Sequence, residues 1–240
     1  MKNPFIFICF LILPLFFSTC ESYYPSEEDN EPFEFTDSRD GTNYTALKIG
    51  DQTWMIENLA YLPSVNAPTD GSESEAKYYV TGYQGTSVAE AIGHANYLSY
   101  GVLYNWTAAQ MACPPGWHLP TDAEWQALEV EVGLAEARLD VNDWRGNADQ
   151  IGYKMRSTSG WKFDKNGDNS TGFNALPAGS RGEDGRFHSQ GEFAFFYTAT
   201  LNKPPSLEWP FYRALWYNLD GIRRDITLKE AALSIRCVKN

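Results

Sequence analysis

Cys113 and Cys237 stand far apart in a chain of 240 residues, and whether they are joined fixes more of the fold than any local pattern. Two further cysteines, Cys9 and Cys20, belong to an N-terminal segment of different character. Lys2 gives that segment a short positive start, and Phe5 to Phe17 is almost wholly apolar, broken only by Pro14. The run is too short to span a bilayer comfortably and fits a signal-peptide core, so residues 1–19 are expected to be removed on export. Cys9 leaves with them, and Cys20 stands at the cleavage point. In an exported chain the remaining pair favours a disulfide over two free thiols. Such a bridge ties the middle of the chain to its last four residues. In the chain-entropy view, closing so long a loop stabilises the fold by at most about 5 kcal/mol.

The small residues Ser18 and Thr19 before Cys20 resemble a bacterial lipobox, which makes Cys20 the acylated first residue of the mature protein. An ordinary secretory signal with an incidental cysteine is the alternative. Acyl chains contribute about 0.8 kcal/mol per buried CH₂, so several would hold the protein firmly on a membrane. Residues 21–40, ESYYPSEEDNEPFEFTDSRD, carry eight acids against one Arg and contain two Pro. On composition they cannot bury enough apolar surface to order themselves, and 20–40 is expected to be an acidic flexible spacer. Acids soon after a lipidated cysteine also resemble surface-export signals of Bacteroidetes lipoproteins, although here they begin mainly at Glu27. The expectation is an outer-membrane lipoprotein whose residues 41–240 face outward. The net charge of −12, with no Lys/Arg cluster, argues against a nucleic-acid partner, because neutralising phosphates needs a basic face. With 43% apolar and 15% aromatic residues, the chain can bury a substantial core.

Globular texture begins near Thr45. Ala46–Ile49, the turn Gly50-Asp51 and Gln52–Met55 read as a two-residue β-hairpin. Residues 63–98 are rich in Gly, Ser, Thr and Asn and read as a long, partly irregular insertion. Tyr104 to Ala112 reads as a short helix with Asn105 as its cap. A second short helix is placed somewhere in 133–160. Phe193–Thr198, Tyr212–Leu219 and Leu233–Val238 read as strands of an antiparallel sheet.

The stretch CPPGWHLPTDAEW, residues 113–125, holds a cysteine, a histidine and two carboxylates, the ingredients of a metal site or an acid/base pair. Its spacing says otherwise. Thr121 and Glu124 fit a capping box, Asp122 suits the positive end of a helix dipole, and Trp125, Leu128 and Val132 share one helical face. His118 is left over, and a lone His beside Trp117 reads as a packed or hydrogen-bonded residue. The stretch is read as a brace.

The blocks IGDQTWMIENLAY, YGVLYNWTAAQMACPPGWHLPTDAEWQALE, GFNALPAGSRGEDGRF and LSIRCVKN, in that order, resemble the Fibrobacter succinogenes major paralogous domain. The resemblance runs from about Thr45 to Asn240. It implies a C-type-lectin-like, α+β fold, with short helices packed on antiparallel strands. It also implies one disulfide, Cys113–Cys237, between the first helix and the last strand. The family occurs in secreted proteins and lipoproteins of Bacteroidetes and Fibrobacteres. It implies adhesion or glycan binding rather than an established activity. The phrase HLPTDAEWQ also resembles a block of formylglycine-generating proteins, which act through a pair of redox-active cysteines. If Cys113 and Cys237 are bridged, that chemistry is removed, and no catalytic residue is assigned.

Remaining candidates are few. Asp164, Asn166 and Asp168 place oxygens at alternate positions, like the start of a calcium loop, but Asn169 and Ala175 stand where Gly and Glu are needed. Asn-Gly-Asp is also ordinary turn chemistry. No cofactor is therefore expected, with calcium as the weak exception. His94, His118 and His188 lack ligand spacing for zinc. Trp144 and Trp209, flanked by polar residues or proline, are the candidates for sugar stacking, whereas Trp216 sits inside an apolar strand. The expected function is a non-catalytic, surface-anchored binding or adhesion module whose ligand is a glycan or another surface protein. The alternatives are a structural part of a cell-surface assembly and, more remotely, a formylglycine-type enzyme.

Overall fold

Alternating apolar strands need partners on both edges, and here they find them in three antiparallel sheets. The computed structural model describes residues 31–203 and 208–240; the segment 1–19, Cys20 and the spacer to residue 30 lie outside them. The first sheet runs, in spatial order, β1 (Phe33–Thr36), β2 (Asn43–Ile49), β3 (Gln52–Met55), β14 (Val238–Lys239) and β6 (Trp117–His118). The second runs β10 (Phe193–Leu201), β11 (Pro210–Trp216), β12 (Leu219–Ile226) and β7 (Asp143–Arg145). The third runs β4 (Tyr78–Tyr79), β5 (Leu103–Asn105), β13 (Ala232–Leu233), β8 (Ser180–Arg181) and β9 (Phe187–His188). The helices are α1 (Val88–Ala91), α2 (Ala95–Tyr100), α3 (Trp106–Ala112), α4 (Asp122–Val132) and α5 (Ile151–Met155). The architecture is α+β, with mostly antiparallel sheets and few, short helices.

Local signals act where the sequence places them. Ile49 pairs with Gln52 across the Gly50-Asp51 turn, where Gly50 takes φ +61° at no Cβ cost. Asn105 Oδ1 accepts from Ala108 N at 3.0 Å and starts α3. Thr121 Oγ1 accepts from Glu124 N, and Glu124 Oε2 accepts from Thr121 N at 2.7 Å, closing the capping box of α4. His118 completes the brace. Its ring nitrogens meet Glu124 Oε1 at 2.7 Å and Asn240 Oδ1 at 2.6 Å, tying the helix cap to the C-terminus. Cys113 is bonded to Cys237, joining the end of α3 to the entrance of β14.

Three expectations are corrected. Residues 31–40 do not belong to a free spacer: β1 pairs along β2, Phe35 stacks on Trp117 at 4.3 Å, and Arg39 donates to Asp37 and to the Ala112 carbonyl. Phe35 and the part-buried Arg39–Asp37 ion pair supply order that the average composition of 21–40 conceals. Tyr212–Leu219 is not one strand, because the chain turns at Tyr217-Asn218 so that Trp216 pairs with Leu219. Leu233–Val238 is not one strand either. It leaves the third sheet after Leu233 and joins the first at Val238, with Ile235 O and Cys237 O accepting from Leu59 N and Met55 N.

The core under the second sheet combines apolar and ionic parts. Trp125, Leu128 and Val132 of α4 are buried, with Trp125 edge-on to Trp54 at 5.0 Å and packed on Phe196 at 5.6 Å. Beside them Arg145, Arg213 and Arg224 converge on Glu129 and Asp122. Arg213 Nη1 and Arg224 Nη2 donate to the two Asp122 oxygens at 2.7 and 2.8 Å. Burial works to raise the Asp122 carboxyl, but the two guanidinium groups outweigh it and hold the group below its ordinary value. Arg236 is buried without a carboxylate, between Phe173 and Phe196. Its guanidinium donates to Asn58 Oδ1 and to the carbonyls of Met55, Phe173 and Asn174. Burial pushes it down to about 9, which leaves it charged at neutral pH.

Candidate functional site

Strand periodicity sends alternate side chains of the second sheet to opposite faces. Ala194, Phe196, Arg213, Leu215, Ile222 and Arg145 point inward and are buried. The register places Phe193 opposite Trp216, Phe195 opposite Ala214, and Arg223 opposite both Ala214 and Trp144, all on the other face. There Trp144, Phe193, Phe195, Tyr212 and Trp216 form a half-buried aromatic strip. Phe193 lies parallel to Phe195 at 5.1 Å and to Trp216 at 5.5 Å, overlapping like shingles. Trp144 packs obliquely on Trp216 at 6.3 Å, and Tyr212 on Phe195 at 6.0 Å. Trp216 Nε1 is shielded and has no hydrogen-bond partner. At about 3.3 Å per residue, Tyr212 and Trp216 stand roughly 13 Å apart along β11.

A cleft opens at each end of the strip. Beyond Phe195 and Tyr212 lies one of about 250 Å³, walled also by Ser180, Arg181, Glu183 and Thr227. Its arginine is already engaged: Arg181 donates to the carbonyls of Pro68 and Glu230 and lies over the Tyr79 ring. Burial lifts the Tyr212 hydroxyl above its ordinary 10, against the pull of Arg223, so it remains a neutral donor. The second cleft, about 270 Å³, opens beside Tyr217.

Of the residues singled out by sequence, the structure brings Trp144 into the strip and leaves Trp209 out. Trp209 lies at the far end of β11 from Trp216, its carbonyl accepting from Asn202 N at 2.7 Å. Among the described residues no ring pair joins it to the strip. Of the calcium candidates, Asn166 Oδ1 accepts from Trp161 N and Asp168 Oδ1 from Ser170 N, which is turn chemistry, and Asp164 is exposed. Among the described residues no three His, Cys, Asp or Glu side chains gather in metal-binding geometry. His188 meets Asp184 at 2.9 Å beside Ser180, its cross-strand neighbour, but no hydrogen bond links Ser180 Oγ to the ring. A nucleophile–base contact is thus not made there.

The sequence pattern of the Fibrobacter succinogenes major domain matches residues 47–239. The chain belongs to that family. No curated protein and no solved structure matches it. Within this Fibrobacter succinogenes major domain the match begins in β2 and ends in β14, so the strip and both clefts lie inside it and β1 lies before it. Four strip residues, Phe193, Phe195, Tyr212 and Trp216, were read from sequence as ordinary strand and core. Size alternation does not distinguish them, because inward Phe196 is as large as outward Phe195 and outward Ala214 is as small as inward Ala194.

Proposed function

We propose that this Fibrobacter succinogenes major domain protein is a non-catalytic binding and adhesion module whose ligand is a glycan. It acts from the cell surface, held in the outer membrane by a lipid on Cys20. The half-buried aromatic strip of the second sheet carries this reading. Aromatic rings offer large apolar area with few rotors, and pyranose C–H faces pack on such rings while hydroxyls remain free for polar neighbours. The clefts at the strip's ends supply those neighbours, so an extended chain of sugars suits the site better than a compact ligand. A C-type-lectin-like fold is consistent with the disulfide between α3 and the last strand. That bond also occupies both thiols a formylglycine-type reaction requires, which supports the non-catalytic assignment.

The test is a glycan array probed with the purified full chain in detergent. Saturable binding is expected, lost in Trp144→Ala and retained in Trp209→Ala. Silence across the array would sink the glycan reading and leave the strip as a protein interface within a surface assembly.

A further inference from the structure

The cleft at the Tyr217 end of the strip lies between α5, the turn at 162–166 and the β11–β12 hairpin. Its polar groups are held in place yet only partly used. Buried Arg156 donates to the Trp216 and Leu219 carbonyls at 2.7 and 2.6 Å and to Asp220 Oδ1 at 3.0 Å, fixing the hairpin and that carboxylate. Asp220 Oδ2 has no hydrogen-bond partner among the described residues, and the side chain is 43% exposed. Asn218 Oδ1 accepts from Lys165 Nζ and Asn166 Oδ1 from Trp161 N, which leaves both amide NH₂ groups as donors without partners among the described residues. Free amide donors beside a free carboxylate oxygen match a hydroxyl, which accepts from the one and donates to the other.

The aromatic edge beside the cleft is held at a cost. Phe163 is 77% exposed and sits at φ +57°, a left-handed conformation uncommon for a bulky residue. Asp164 and Gln150, the latter also in the cleft wall, are left-handed too. Strain that clusters at one surface site points to function. Phe163 stands edge-on to Tyr217 at 5.6 Å, and Tyr217 edge-on to Trp216 at 5.6 Å, so ring contacts lead from the strip around the end of β11 to the cleft.

We propose that this cleft is the specificity subsite for the terminal pyranose of a glycan lying along the strip. Phe163 and Tyr217 pack on the sugar's C–H face, and Asn166, Asn218 and Asp220 read its hydroxyls. Arg156 is consumed within the protein, and Lys165 and Asp220 leave the cleft wall with charge of both signs, so the site reads hydroxyls through hydrogen bonds rather than selecting a sugar by its charge. The inference rests on the glycan-binding reading above.

The experiment compares the full chain with Phe163→Ala, Asn218→Ala and Trp144→Ala on arrays ending in neutral hexoses or in uronates, with thermal midpoints as the folding control. Each cleft variant is expected to weaken binding about tenfold or more, at an unchanged midpoint. The weakening is expected on neutral and on uronate termini alike. Loss in Trp144→Ala with full binding in both cleft variants overturns the subsite and keeps the strip. Loss in the cleft variants alone keeps the subsite and removes the strip. Absence of any binding overturns the proposal.

Discussion

The two faces of the second sheet invert the usual arrangement: its inner face buries charge and its outer face shows aromatic rings to water. On the inside, Arg145 and Arg213 share Glu129, and Arg213 and Arg224 share Asp122, all beneath α4. On the outside, Trp144, Trp216, Phe193, Phe195 and Tyr212 are only half covered. Buried charges of this kind add little net stability over well-packed apolar groups, but removing one partner is severe because the other is left unpaired. The outer rings have the opposite economy. They cover one another and lose little when one is removed. The inner face therefore fixes where α4 sits, and the outer face is available for a ligand.

The largest way to break this contrast is Glu129→Gln. It leaves Arg145 and Arg213 buried without their shared counter-charge, and an unfolding free energy lower by about 3–5 kcal/mol is expected from denaturant titration. A loss below about 1 kcal/mol would show that the inner network is not what holds α4. Next is the double change Cys113→Ser and Cys237→Ser, expected to cost about 2–4 kcal/mol by the same titration. The bond joins α3 to β14, and neither element contributes to the strip. Glycan binding measured well below the lowered midpoint should therefore persist.

Acid separates the faces further. Asp122 is buried, yet Arg224 and Arg213 hold its carboxyl below the ordinary 3.8; Glu124 is likewise held below 4.5 against burial by Thr121 and His118. A depressed carboxylate contributes stability that is fully present above its unfolded value and lost as pH falls through its folded value. The midpoint should therefore be flat above about pH 5 and fall steadily below about pH 4. Asp122→Asn should flatten that fall, and an unchanged acid limb would remove Asp122 from the account.

Local rules were legible where a few adjacent residues suffice. The Gly50-Asp51 hairpin, the Asn105 cap and the Thr121–Glu124 box depend on neighbours within four positions, and the structure forms each. The Cys113–Cys237 bond was legible for a different reason: Cys9 and Cys20 fall in the expected export signal and lipobox, which leaves two cysteines to pair. Apart from the turn that splits Tyr212–Leu219, what failed needed partners distant in sequence. Leu233–Val238 has strand periodicity, but its hydrogen bonds go to residues 55 and 59, so it crosses between sheets. Phe35 looks like an isolated apolar residue in an acidic tail until Trp117 and Tyr44 are brought against it. The buried arginines were equally hidden. Arg213 in FYRALW and Arg236 in LSIRCV interrupt apolar strands at inward positions, and that interruption is the available clue. Of the candidate site, sequence supplied one ring in five, Trp144, because a half-exposed strand face and a buried one share the same alternation.

The smallest effect on stability comes from that ring, and it tests the comparison most directly. Trp125→Ala on the inner side removes a fully buried indole packed against Trp54, Phe173 and Phe196, and should cost about 3–5 kcal/mol. Trp144→Ala on the outer side removes a half-exposed indole whose neighbours lie 6.3 and 6.5 Å away, and should cost about 1 kcal/mol. The order reverses for binding, which Trp144→Ala should abolish on the array. If Trp144→Ala instead unfolds the protein as severely as Trp125→Ala, the strip is a second core awaiting a protein cover. If it changes neither stability nor binding, the strip has no role in recognition, because a ring that supports neither the fold nor a ligand leaves no reason for the outer face to be aromatic.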